Sequence, residues 1–141
     1  MSDADTSERG PAVVASENLL RFITTPSFWV LAEKRPSSAA FDKPKFSVTI
    51  ESLASDAEHR RQLTDTLQRP NGGIVRFSCR TARDLSFHAD AEIDAQYPDN
   101  LAHAHVYDDG DNRSRKRRAR SLAMQCSVVI LPQFNESTTG N

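Results

Sequence analysis

Residues 85–94 read LSFHADAEID, the most regular alternation of apolar and polar side chains in this chain of 141 residues. Successive side chains of a strand point to opposite faces, so the pattern predicts a β-strand with one buried and one solvated face. One-sided strands of this kind are typical of antiparallel sheets. The residues predicted to face the core are Leu85, Phe87, Ala89, Ala91 and Ile93.

Residues 101–107 read LAHAHVY and predict a second strand, which carries His103 and His105 on one face. If the two strands pair as a hairpin and both bury their apolar side chains, their polar side chains share the opposite face. Directly opposed Cβ atoms then lie about 5 Å apart. Imidazoles and carboxylates at that spacing suit a divalent metal, or an acid–base pair in which a carboxylate orients a histidine. The candidate residues are His88, Asp90, Glu92, His103 and His105.

Further elements flank this hairpin on both sides. Residues 45–50 and 74–79 predict strands, and the uniformly apolar residues 128–131 predict a central strand. Ser55 and Glu58 form a capping-box pattern that predicts a surface helix from there to about Gln68.

The predicted fold class is α+β. We expect a single domain with a mostly antiparallel or mixed sheet of about five strands and two or three helices on one side. Residues 16–134 are predicted to form this domain. Residues 1–15 are predicted to be a disordered acidic tail, and residues 135–141 a second disordered tail.

Composition narrows the function class. The formal net charge is −1, which argues against a protein dedicated to packaging nucleic acid. No segment approaches the roughly 20 apolar residues that span a bilayer, so no membrane association is expected. The acidic first residues do not resemble a secretory signal. Two cysteines, Cys79 and Cys126, fit a reducing compartment. The expected location is therefore the cytoplasm.

The second unusual segment is basic. Six of the eight residues from Arg113 to Arg120 are Arg or Lys, and the segment predicts a helix that buries Ala119, Leu122, Ala123 and Cys126. Arginine makes bidentate contacts with phosphate, which suits RNA or DNA binding. Cations near a helix N-terminus are disfavoured by the helix dipole, so an external partner is indicated, although nearby aspartates could pair with them. The candidate phosphate-binding residues are Arg113, Arg115, Arg117, Arg118 and Arg120.

Two short segments carry a resemblance. Residues 35–41, RPSSAAF, and residues 100–104, NLAHA, resemble a pattern found in a family of small bacterial proteins. The resemblance implies no activity.

Three functional hypotheses remain open. The first is an accessory binding module that engages a protein partner, favoured because no motif is specific enough to require catalysis. The second is a metal-dependent or acid–base enzyme acting on a phosphoester or nucleotide, with the histidine face as its centre and Arg113 and Arg115 holding phosphate. The third is RNA or DNA binding through the helix of residues 113–120. A concave polar pocket favours the second, and a continuous exposed arginine stripe favours the third.

Overall fold

The computed structural model describes residues 9–92 and 102–134. Within these ranges, seven strands form one antiparallel sheet in the order β1-β7-β8-β5-β2-β6-β9, and β3 pairs with β4 in a small second sheet. The predicted α+β class is confirmed, with seven strands in the main sheet where the sequence suggested about five. The strands are β1 (Arg9–Ala12), β2 (Asn18–Ile23), β3 (Trp29–Val30), β4 (Arg35–Pro36), β5 (Lys45–Ile50), β6 (Gly73–Ser78), β7 (Phe87–Glu92), β8 (His103–Asp108) and β9 (Ser127–Ile130).

In the described part of the chain, three α-helices accompany the sheet: α1 (Asp56–Arg61), α2 (Cys79–Asp84) and α3 (Arg115–Gln125). A π-helical turn, Gln62–Thr66, continues α1. Short 3₁₀ turns occupy Pro26–Phe28, Leu31–Glu33, Ser38–Ala40 and Glu51–Leu53.

The main hydrophobic cluster lies between one face of the sheet and the helices α2 and α3. Four phenylalanines meet edge to face at its centre, among them Phe41 and Phe46 with ring centroids 5.5 Å apart. From α3, Ala119, Leu122 and Ala123 are buried in this cluster as the sequence predicts, and Cys126 is half-buried. Burial of each large side chain contributes roughly 1.5–3 kcal/mol.

A smaller cluster lies on the opposite face of the sheet. Leu20, Leu63 and Ile74 form it, and Leu63 belongs to the π-helical turn. Leu19 and Leu20 are neighbours on β2 but belong to different clusters, because successive strand residues point to opposite faces. The turn after α1 therefore packs on the face opposite to α2 and α3.

The predicted capping box at α1 is present. Ser55 Oγ accepts a hydrogen bond from Glu58 N at 3.2 Å, and Glu58 Oε1 accepts one from Ser55 N at 3.0 Å. The regular helix ends at Arg61, earlier than expected, and the π-helical turn follows it. Gln68 then adopts a left-handed conformation with φ of 53°, which ends the segment close to the predicted position.

Helix α2 is absent from the sequence prediction. Its N-cap is Ser78, whose Oγ accepts a hydrogen bond from Thr81 N at 3.0 Å. Leu85 and Ser86 form the turn after this helix, with Ser86 at φ of 69°, so β7 begins at Phe87 rather than Leu85. Ile93 and Asp94, which the sequence places at the end of the strand, lie outside the described residues.

The apolar run at residues 128–131 is not a central strand. Strand β9 is last in the sheet order and pairs with β6. Val128 packs against the main cluster, whereas Val129 and Ile130 pack against the smaller one. Apolar side chains on both faces thus reflect coverage of both faces and not a central position.

The structure describes only residues 9–15 of the two segments predicted to be disordered tails. Residues Arg9–Ala12 form β1, which pairs antiparallel with β7, inside the segment predicted to be an N-terminal tail. Residues 1–8 and 135–141 lie outside the described residues. Within the described ranges, no helix is both long and apolar enough to cross a membrane.

Candidate functional site

The hairpin predicted from the alternation is formed by β7 and β8. The two strands pair antiparallel, with Asp90 opposite His105 and His88 opposite Tyr107. Phe87 is buried on the core side, so the polar residues of both strands share the other face. Glu92 ends β7, and its side chain lies outside what the structure describes.

Contacts on this polar face form two groups. His88 Nε2 lies 2.9 Å from Asp90 Oδ1, and the Asp90 side chain is only 7 % exposed. The rings of His103 and His105 are 5.0 Å apart between centroids and nearly edge to face. Tyr107 extends this row, 6.3 Å from His105. A carboxylate beside an imidazole can fix the orientation of that ring.

The predicted metal site stays a prediction. The described side chains contain no group of three or more His, Cys, Asp or Glu residues that could hold a metal ion. Glu92, the remaining predicted ligand, has no described side chain. Burial lowers the pKa of His103, so this imidazole is neutral at pH 7.

The structure separates the side chains of the basic segment into two sets. The first set, Arg115 and Arg118, forms ion pairs with carboxylates. Arg118 Nη2 lies 2.7 Å from Asp108 Oδ1, and these side chains are 11 % and 1 % exposed. Arg118 also donates a hydrogen bond to the backbone oxygen of Asp111 at 2.5 Å. A Cβ atom at Gly110 would collide with the Arg118 guanidinium, so a larger residue there would require that side chain to move. Arg115 Nε lies 3.2 Å from Asp42 Oδ1.

The second set of basic side chains is exposed to solvent. Arg113, Lys116, Arg117 and Arg120 are exposed, and none of them forms an ion pair with a carboxylate in the described ranges. We call these four residues the basic face. An α-helix turns about 100° per residue, so Lys116, Arg117 and Arg120 project from the same side of α3. Met124 lies on that side one turn further on and is 61 % exposed.

A pocket that the sequence reasoning missed lies beside the histidines. Strands β2 and β5 pair at two positions, the last of which joins Leu20 to Thr49. Beyond that pair the strands separate, and Arg21 fills the gap. Arg21 Nε donates to Ala40 O at 2.8 Å, and Arg21 Nη1 donates to Ser47 O at 3.0 Å.

The strand-gap pocket has a volume of about 210 Å³. Its wall includes the start of the π-helical turn, because Gln62 contributes to the lining. π-helical turns are frequent at functional sites. Hydroxyl groups on alternate positions of the strand 45–50 are the only signal in the sequence, since neither the strand separation nor the π-helical turn has a local signature. Other side chains that line the pocket are those of Arg21, Phe22, Ser47, Thr49, Leu67 and His103.

The two cysteines are unsuited to nucleophilic chemistry. Burial raises the pKa of Cys79, and it raises the pKa of Cys126 to about 12. A thiol is reactive as the thiolate, so both remain protonated and unreactive at pH 7.

Comparison with known proteins gives no match: no family model, no curated protein and no solved structure is similar to this chain. The segment with the RPSSAAF pattern has a packing role here, since Phe41 is completely buried in the main cluster.

Proposed function

We propose that this protein is a non-catalytic binding module that engages an acidic protein partner through the basic face. The supporting observation is the division of the arginines. Arg115 and Arg118 are held by Asp42 and Asp108, while the four cations of the basic face project from the protein without such partners.

The held arginines fix the orientation of α3. The Arg118–Asp108 pair is almost completely buried, and it joins the helix to the end of β8. The other side of the helix is anchored in the main cluster by Leu122. The basic face is thus presented on a rigid element, which lowers the entropic cost of binding.

The dipole of α3 does not favour this arrangement in the free protein. Lys116 and Arg117 lie in the first turn of α3, where the helix dipole disfavours a cation by about 0.3–1 kcal/mol. A carboxylate-rich partner would offset this cost. The unfavourable placement therefore supports binding to an anion outside the chain.

The composition of the surface favours a protein over a nucleic acid. Residues 113–124 contain no aromatic side chain to stack on bases, and the whole chain has a net charge of −1. Met124 adds an exposed apolar side chain to the basic face. Methionine and arginine are both enriched where proteins contact proteins.

The test compares two labelled probes by fluorescence anisotropy: a short peptide that alternates Glu with Leu, and single-stranded polyuridine of the same length. The variant Arg113→Glu/Arg117→Glu/Arg120→Glu reverses the basic face. The matched control, Arg60→Glu/Arg61→Glu/Arg69→Glu, reverses three exposed arginines around α1. Circular dichroism checks that both remain folded.

We expect the acidic peptide to bind, to bind more weakly as salt is added, and to lose about tenfold or more in affinity only in the basic-face variant. Equal losses in both variants would contradict a specific site, as would no binding of the peptide. Tighter binding of polyuridine, lost in the same variant, would replace the protein partner by RNA.

A further inference from the structure

The strand-gap pocket has walls of mixed character. Phe22 and Leu67 supply apolar surface, and Ser47, Thr49 and Gln62 supply hydroxyl and amide groups. The side chains of these three polar residues form no hydrogen bond with other residues in the described part of the chain. Thr49 is only 6 % exposed, so its hydroxyl meets little bulk water. The pocket therefore contains unused hydrogen-bonding capacity.

The charge in and around the pocket is also defined. Arg21 contributes to the lining, but its guanidinium donates to two backbone oxygens and lies over the ring of Phe46, 4.7 Å from the centroid. Phe22, the next residue, points to the pocket side, as strand alternation requires. Burial keeps the pKa of His103 low, so that imidazole is neutral at pH 7. Apart from Arg21, the side chains that line the pocket are thus uncharged at neutral pH.

Size limits the ligand further. The volume of about 210 Å³ is below the ~300–1,000 Å³ of sites for drug-sized molecules. It suits a single ring. A cation would meet no opposite charge there. An anion would meet only the Arg21 guanidinium, which already donates to Ala40 O and Ser47 O, so either ion would lose its hydration for little gain.

We propose that the strand-gap pocket binds a small uncharged ring with hydrogen-bonding groups at its edge, the chemical class of pyrimidine bases and cyclic amides. The ring packs between Phe22 and Leu67, while Thr49 and Gln62 hydrogen bond to its polar edge. This site is separate from the basic face and does not depend on the proposed partner.

Ligand-detected saturation-transfer NMR tests the proposal with three probes of similar size: uracil, benzoate and toluene. Thr49→Val removes the hydroxyl without changing the shape, and Ser47→Phe fills the mouth of the pocket from an exposed position. Thr64→Val is the control, since Thr64 is exposed, lies outside the pocket lining and hydrogen bonds to the backbone of its own helix.

Uracil is expected to bind in preference to benzoate and toluene. Its affinity should fall at least about fivefold in Thr49→Val, because a buried ligand group loses its partner, and should be lost in Ser47→Phe. Thr64→Val should bind as the wild type does. The proposal is overturned if uracil shows no saturation transfer, if an anionic or apolar probe binds better, or if folded Thr49→Val and Ser47→Phe bind uracil unchanged.

Discussion

At the scale of single residues, Arg118 and Arg117 are adjacent in sequence but have different roles. The sequence predicts both as phosphate-binding candidates, yet Arg118 is 11 % exposed beside Asp108 and Arg117 is exposed. Sequence alone could not separate them, because the difference depends on which helical side meets the turn at residues 108–111. The spacing predicts the buried stripe of α3 well, and the ion pairs flanking it depend on tertiary packing.

This difference predicts unequal losses of stability. Arg118→Ala leaves the Asp108 carboxylate buried without its cation, and removing one partner of a buried pair costs about 3–5 kcal/mol. Arg117→Ala alters only an exposed side chain and should change the free energy of unfolding by less than about 0.5 kcal/mol. Urea denaturation measures both. Equal values for the two variants would show that Arg118 is not held as described.

A second residue-scale prediction concerns acid. Arg76 Nε donates to Glu51 Oε1 at 2.8 Å, and this hydrogen bond is the main reason that the pKa of Glu51 lies below its usual value. A carboxyl group with a lowered folded pKa stabilises the protein above its unfolded pKa of about 4.3. That contribution is lost as the pH falls through the folded pKa.

Glu51→Gln should therefore have a lower free energy of unfolding than the wild type at pH 7. This difference in stability should become smaller near about pH 3. Urea denaturation at the two pH values gives the comparison. Glu33→Gln, which removes an exposed ion pair with Arg35, is the control and should show little difference at either pH. A gap for Glu51→Gln that is independent of pH would rule out the ionised pair as its cause.

At the scale of elements, local patterns predicted what local interactions determine. Alternation predicted the polar face of β7 and β8, and the capping pattern predicted the start of α1. The order of the strands could not be predicted in this way, because no residue of β9 indicates whether a strand lies beside it on both sides. Helix α2 is only six residues long, too short for a periodic pattern to reveal.

The capping box gives a prediction at this scale. Ser55→Ala removes the side-chain acceptor at the start of α1 and should lower the free energy of unfolding by about 1 kcal/mol. Ser114 occupies the N-cap position of α3 but makes no capping hydrogen bond, so Ser114→Ala should cost much less. Thermal unfolding of both variants tests the contrast. A loss for Ser114→Ala as large as that for Ser55→Ala would refute it.

At the scale of the whole molecule, the sheet divides the surface into separate regions. Its core side is covered by α2, α3 and the residues around Phe41. The strand-gap pocket and the polar face of β7 and β8 lie on the other side, with His103 in the pocket lining. The basic face belongs to the outer surface of α3. The sequence predicted the basic segment and the histidines. That they lie on different surfaces follows from the fold and could not be predicted from the sequence.

This separation allows the proposed protein-binding role to be tested by mapping. Titration of the alternating Glu–Leu peptide into ¹⁵N-labelled protein would show which backbone amides change their chemical shift. We predict that the largest changes occur between Arg113 and Met124 and disappear in the basic-face variant. Changes concentrated on β7 and β8, or no changes in any part of the protein, would contradict an acidic partner bound at the basic face.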